Sequence, residues 1–448
     1  MTFSELNLAE PVLRAVAMEK YAEPSPIQKQ AIPHLLAGKD VLGCAQTGTG
    51  KTAAFALPIV HALHAQGKTT GRRAPRALVL APTRELAAQV GASFSAFGRF
   101  SGVKTAVIFG GVSQRPQVSA LRNGVDVLVA TPGRLVDLLR QRLCDLRSVT
   151  TLVLDEADHM LDLGFIHDVK AIIARIPKER QTLLFSATMP KEIASLASSV
   201  LRDPVNVAVA PVSSAVESVQ QSVYHVEKSN KGKLLVELLQ KGGIETSLVF
   251  SRTKHGADKI CKMLNTSGIK AAAIHGNKSQ SARKEALDAF KKGKLRVLVA
   301  TDIAARGIDI QALPHVVNYD LPDVPETYVH RIGRTGRAGR HGSAVSFCDS
   351  SERSSLRDIE SLISLRIPTV REHSFAHVEP ARASSAPERR AGGRERSSSD
   401  ASKRSSVRRR SGDARATNPL RPQGENRQGA GRRSKRRQPS ASFRKTAS

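Results

Sequence analysis

Short apolar runs, each too brief for a helix and each closed by a polar or Gly/Pro residue, alternate with longer helical stretches over most of this 448-residue chain. Residues 77–80 (ALVL), 125–129 (VDVLV), 151–154 (TLVL) and 182–185 (TLLF) form one series. Residues 247–250 (SLVF), 270–274 (KAAAI), 295–299 (LRVLV) and 316–319 (VVNY) form a second. Near-continuous apolar runs suit strands buried on both faces, so the pattern predicts parallel sheets flanked by helices. Two series predict two tandem α/β domains, at 1–208 and 218–370, with the least patterned stretch, 209–217, as the linker.

Charge separates the remainder. The chain carries a formal +29, and from residue 376 onward 20 Lys/Arg face 6 Asp/Glu, which puts +14 in the last 73 residues. That segment is rich in Ser, Arg, Gly and Pro and has a single aromatic, Phe443. It cannot bury enough apolar surface to offset the entropy of ordering, so 371–448 is expected to be a disordered basic tail. A positive field of this size selects polyanionic partners, and nucleic acid leads because no basic amphipathic helix argues for a membrane surface. No apolar run approaches the roughly 18–20 residues needed to span a bilayer. The start, Met1-Thr2-Phe3-Ser4-Glu5, lacks the layout of a secretory signal. Cys44, Cys144, Cys261 and Cys348 lie far apart with no CxxC pair, which fits reduced thiols and a cytoplasmic location.

Ala45-Gln46-Thr47-Gly48-Thr49-Gly50-Lys51-Thr52 follows the short strand 40–43 and opens a helix at Ala53. Glycines let backbone N–H groups wrap phosphates and the helix N-terminus adds positive potential, so this is a Walker A loop with Ala at its first glycine position. Lys51 is placed to reach the β and γ phosphates and Thr52 to hold Mg²⁺. Asp155-Glu156-Ala157-Asp158 follows the run 151–154 directly. Taken alone it could be a helix cap. Paired with the phosphate loop it reads as a Walker B site, with Asp155 on Mg²⁺ and Glu156 orienting and deprotonating the attacking water.

These two segments, with others in a fixed order, resemble the DEAD-box RNA helicases, whose name is this tetrapeptide. Tyr21-Ala22-Glu23-Pro24-Ser25-Pro26-Ile27-Gln28 is similar to the adenine-reading Q motif, with Lys20 where Gly is usual and Ser25 where Thr is commoner. The resemblance implies that Gln28 bonds the adenine edge and Tyr21 packs on its ring, with Phe3 as a further aromatic. Ser186-Ala187-Thr188 resembles the motif that couples hydrolysis to closure. Residues 300–309 (ATDIAARGID) and 330–337 (HRIGRTGR) resemble motifs V and VI. By spacing alone, an Arg every three residues is equally a solvated basic face. The resemblance makes Arg334 and Arg337 fingers for the γ phosphate and gives Asp309 a nucleotide contact. It assigns sugar-phosphate contacts to Arg84, Gly111, Thr131 and Arg134 in the first domain and to Arg252, Gln280, Arg283 and Thr301 in the second, none of which reads base sequence.

The resemblance spans roughly residues 3–345, and its short spacers resemble the bacterial RhlE-like subgroup. It implies two RecA-like domains and an RNA-stimulated ATPase (a hydrolase) that uses ATP and Mg²⁺ to unwind short duplexes. It further implies action as a monomer in ribosome assembly or RNA turnover, on ribosomal precursors or with an RNA-decay complex. Rival readings are a DNA translocase, which would usually lack the Q motif, and an annealing protein that works through its tail without ATP. A scaffold using ATP only as a clamp is the third, and it would tolerate Glu156→Gln.

Overall fold

A computed structural model describes residues 1–45, 49–67, 74–208, 219–241, 243–305, 310, 313–336 and 342–376. Gln46, Thr47, Gly48, Asp309, Arg337, the expected linker 209–217 and the tail from 377 onward lie outside the described residues.

Two seven-stranded parallel sheets organise the chain. The first is built from β1 (Val41–Cys44), β2 (Ala77–Leu80), β3 (Thr105–Ile108), β4 (Val127–Ala130), β5 (Thr151–Leu154), β6 (Gln181–Ser186) and β7 (Val205–Ala208), ordered β3-β4-β2-β5-β6-β1-β7. The second is built from β8 (Val219–His225), β9 (Ser247–Phe250), β10 (Ala271–Ile274), β11 (Val297–Ala300), β12 (His315–Asn318), β13 (Gly342–Cys348) and β14 (Thr369–Val370), ordered β10-β11-β9-β12-β13-β8-β14. The two orders match strand for strand through most of each sheet, which is how two RecA-like domains in tandem are recognised.

The expected runs supply the inner strands. Every residue of β2, β4, β9 and β11 is buried, because helices cover both faces of each sheet. The first sheet separates two apolar layers: one holds Phe55, Phe94 and Phe185, the other Leu135, Met160 and Ile193. The shorter apolar signal at β3, β7, β8, β13 and β14 escaped the sequence pattern. β8, for example, reads Val-Gln-Gln-Ser-Val-Tyr-His and buries only alternate residues at its start.

Helix starts double as motif residues. Thr83 Oγ1 accepts from Leu86 N at the head of Arg84–Phe97, and Thr253 Oγ1 accepts from Gly256 N at the head of Lys254–Thr266. Ser279 caps Gln280–Lys291 in the same way. Each cap satisfies an otherwise orphaned N–H and places the following polar residues at a strand's carboxyl end.

The second domain contains a buried ionic cluster. Lys231 is fully buried, with Nζ 2.5 Å from Glu352 Oε2, 3.1 Å from Asp349 and 3.7 Å from Asp320. Glu352 also accepts from Arg252 and from Leu321 N. Removing one partner of such a cluster strands the remaining charges away from water. Lys231→Met should therefore lower unfolding stability by about 3–5 kcal/mol, read as a reduced denaturant midpoint. A shift below 1 kcal/mol would mean the cluster is no better than surface ion pairs.

Candidate active site and nucleic-acid cleft

The phosphate loop is braced from behind. Gln28 is buried, its Oε1 accepting from Ser25 N at 2.9 Å and its Nε2 donating to Gly50 O at 3.1 Å. Ser25 Oγ donates to Thr49 O at 2.8 Å. Gln28 thus closes a capping box at the start of Pro26–Leu36 and ties that helix to the loop. Gly50 takes φ +96°, and a Cβ there would lie 2.6 Å from Gln28 Nε2 and 2.8 Å from Ser25 Oγ. Only glycine meets both demands. Lys51, also buried, folds back to donate to Ala45 O at 2.9 Å. Thr52 follows Lys51 in the first turn of Lys51–Ala65. Tyr21, exposed, stacks edge-on between Phe3 and Phe97.

The acidic residues sit at the carboxyl end of β5. Asp155 and Glu156 are both buried. Glu156 occupies the left-handed region, φ 52° and ψ 56°, a conformation that costs a non-glycine residue energy and persists where surroundings over-determine it. Burial drives the Asp155 carboxyl well above its usual range, against the opposing pull of Lys51 and with the Glu156 charge adding to it. Its Oδ1 has no protein partner. Burial acts on Glu156 in the same sense. There it is outweighed by the His159 hydrogen bond, 3.2 Å to Nδ1, and by the charges of Lys51 and Arg334, so Glu156 stays ionised. An anionic, partnerless oxygen near Lys51 and Thr52 is the donor set a hard divalent cation takes. Asp158 turns the other way: its Oδ2 accepts from Ala187 N, Thr188 N and Thr188 Oγ1 at 2.9–3.1 Å. That carboxylate welds the end of β5 to the end of β6, a tie that the acidic spacing alone did not reveal.

The second domain reaches this site. Arg334 is buried and lines one small cavity, about 30 Å³, with Lys51, Glu156, Asp158, His159, Asp162, Ala187 and His330. Three residues earlier, Arg331 is committed elsewhere: it is bidentate to Asp302 at 2.6 and 2.8 Å, donates to Asn318 and to Asp320 O, and stacks on Phe250. The arginine repeat of 330–337 therefore divides at its start, with Arg331 bracing the fold and Arg334 facing the acids.

A separate cleft of about 490 Å³ runs between the domains. Arg84, Thr131 and Arg134 line it from the first, Arg283 and Ile303 from the second. Gly111, φ +75°, lies against the Arg84 guanidinium, where a Cβ would fall within 2.1 Å of Nη1. Arg134 donates to Val112 O at 3.2 Å. Gln280 and Arg283 both turn to Glu85. Arg252 is held by Glu352 and Leu321 O, and Thr301 O accepts from Ala304 N and Ala305 N. Neither of these two is among the residues lining the cleft.

Asp158→Ala should release Thr188 while leaving the phosphate loop braced. ATP affinity should change by less than about threefold, and RNA-stimulated turnover should fall about 10²-fold, the loss that a misplaced catalytic constellation brings. Equal losses in both would show that Asp158 serves the nucleotide directly.

Residues 25–196 match the DEAD/DEAH box helicase family and residues 230–339 the helicase conserved C-terminal domain. The chain is 45% identical over 379 residues to the DEAD-box ATP-dependent RNA helicase CshA of Streptococcus pneumoniae, covering 84% of this chain and 71% of that one. It is 45% identical over 370 residues to the ATP-dependent RNA helicase DeaD of Escherichia coli, covering 82% of this chain and 58% of DeaD. Among solved structures, Saccharomyces cerevisiae Dbp5 bound to RNA and ADP BeF3 aligns with a TM-score of 0.73 at 32% identity, over 82% of this chain and 95% of that one. No helix of the described residues is long and apolar enough to cross a membrane. The chain belongs to the DEAD-box ATP-dependent RNA helicases.

Proposed function

We propose that residues 1–208 and 218–370 act as two motor domains joined by 209–217, and that they close on ATP and RNA together. The observation that supports this most directly is the convergence of Lys51, Glu156 and Arg334, drawn from both domains, on one cavity. Phosphates would lie on the loop from Ala45 to Thr52, at the N-terminus of Lys51–Ala65, with Lys51 leaving Ala45 O to meet them. Thr52 and the partnerless Oδ1 of Asp155 would hold Mg²⁺, which neutralises phosphate charge when bound. Glu156, kept ionised beside His159, orients the attacking water and takes its proton. Arg334, and by its place in the motif Arg337, stabilises charge on the transferred phosphoryl group. Gln28 keeps one amide hydrogen and one lone pair beyond its contacts to the loop, which suffices for an adenine edge. Tyr21 offers a ring face nearby, and Asp309 completes the set.

RNA would occupy the cleft of Arg84, Gly111, Thr131, Arg134 and Arg283, with Gln280, Arg252 and Thr301 bordering it. Backbone-directed contacts of this kind bind without reading sequence. Local unwinding of short duplexes, or remodelling of RNA–protein complexes in ribosome assembly or RNA turnover, follows from closure around one strand. The RhlE-like placement rests on the short spacers between motifs, and a cytoplasmic site of action on four free thiols. The Arg/Ser-rich segment after residue 376 would tether the motor to structured RNA through phosphate charge alone.

Purified protein should hydrolyse ATP in an RNA-dependent manner, and Lys51→Ala should abolish it. Arg334→Ala should lower the RNA-stimulated rate by about 10³-fold or more, with RNA binding retained. Wild-type rates in either variant would remove the basis for a shared site. Truncation after residue 376 should leave RNA-stimulated turnover intact while flattening the salt dependence of RNA affinity; an annealing protein working through its tail would lose its activity instead.

A further inference from the structure

One carboxylate stands out in a cleft that must accept phosphate. Glu85 is the second residue of Arg84–Phe97 and lines the cleft beside Arg84 and Arg134. An acid there repels RNA unless its charge is spent. It is spent on the other domain: Glu85 Oε1 accepts from Arg283 Nη2 at 2.9 Å and from Gln280 Nε2 at 3.0 Å. Gln280 and Arg283 are three residues apart on Gln280–Lys291, so they share one helix face. The Glu85 and Arg283 side chains are only 10% and 11% exposed, so the pair is largely shielded from screening by salt. Both partners remain incomplete, since Arg283 Nε and Gln280 Oε1 are buried without a protein partner. A bridge selected for stability alone would not leave a buried donor and acceptor unmade, each at a cost of about 1–3 kcal/mol.

We propose that Glu85 is a positioning residue that latches the two domains across the RNA cleft and aims Arg283 into it, so that RNA binding and closure favour one another. This rests on the RNA-helicase reading above. The contact joins residues 195 apart in sequence and on different sheets, so it contributes only when the domains are together. By linkage, a contact made in one of two states shifts RNA affinity only insofar as RNA prefers that state. Glu85 therefore acts on the closed, nucleotide-bound form and is silent in the open form.

The test is Glu85→Gln in the full chain, which keeps the shape and removes the charge. Binding of a fluorescent single-stranded RNA is measured by anisotropy without nucleotide and with a non-hydrolysable ATP analogue plus Mg²⁺. ATPase is titrated with RNA alongside. The latch predicts affinity weakened about tenfold, a usual size for coupling between sites, with the analogue and within about twofold without it. The RNA concentration for half-maximal ATPase rises to match. Tighter binding in both conditions would mean that Glu85 is merely an unfavourable charge, and equal weakening in both would make it a direct RNA ligand; either result overturns the latch. Glu85→Arg combined with Arg283→Glu should recover part of what each single change loses, which a general structural defect would not do. If the unmodified chain shows no RNA stimulation at all, the helicase reading fails and takes the latch with it.

Discussion

A phosphate-binding site whose cations come from two separately folded sheets is complete only when those sheets meet. Everything chemical in this molecule depends on that apposition. Lys51 and Glu156 belong to the first sheet and Arg334 to the second, yet they border a cavity scarcely larger than a water molecule. The Glu156 carboxylate senses both cations, and their field helps keep it charged despite full burial. The domains that make the site also shut water out of it, so each remaining charge interacts more strongly than it would in solvent.

Around that site the chain spends polar groups on bracing. Gln28 and Ser25 hold the phosphate loop, Asp158 holds the segment after β6, and His159 holds Glu156. Each brace is a short hydrogen bond from a buried side chain to a neighbouring loop, which preorganises the geometry before any substrate arrives. The left-handed backbone at Glu156 fits this picture, because the side chain is directed by its surroundings rather than by local preference.

Much of this was readable beforehand, for identifiable reasons. Continuous apolar runs such as 77–80 and 247–250 became fully buried central strands because nothing but a two-sided parallel sheet satisfies them. The phosphate loop was legible because its chemistry is local: glycines, a lysine and a strand–helix junction in eight residues. Contacts between distant residues were not. Nothing in the spacing distinguishes Arg331, a buried strut, from Arg334, which faces the acids. Nor does it show that Gln280 and Arg283 would turn to Glu85, or that Arg252 would be held by Glu352. Such choices are settled by which side chains the fold brings within reach, and a linear pattern carries no such distances. Edge strands such as β14, two residues long, were missed because they bury too little to leave an apolar signature.

The ionic cluster of the second domain has a mechanical meaning. Lys231 gathers Asp320 after β12 with Asp349 and Glu352 after β13, and Glu352 in turn holds Arg252 after β9. Arg331 adds Asp302, after β11, to the same web. Four neighbouring loops are therefore laced into one stiff plate on the face that bears Arg334. No loop in it can drift alone to suit a new ligand. The plate advances or retreats as a whole, so a small displacement at any corner arrives undiminished at the arginine.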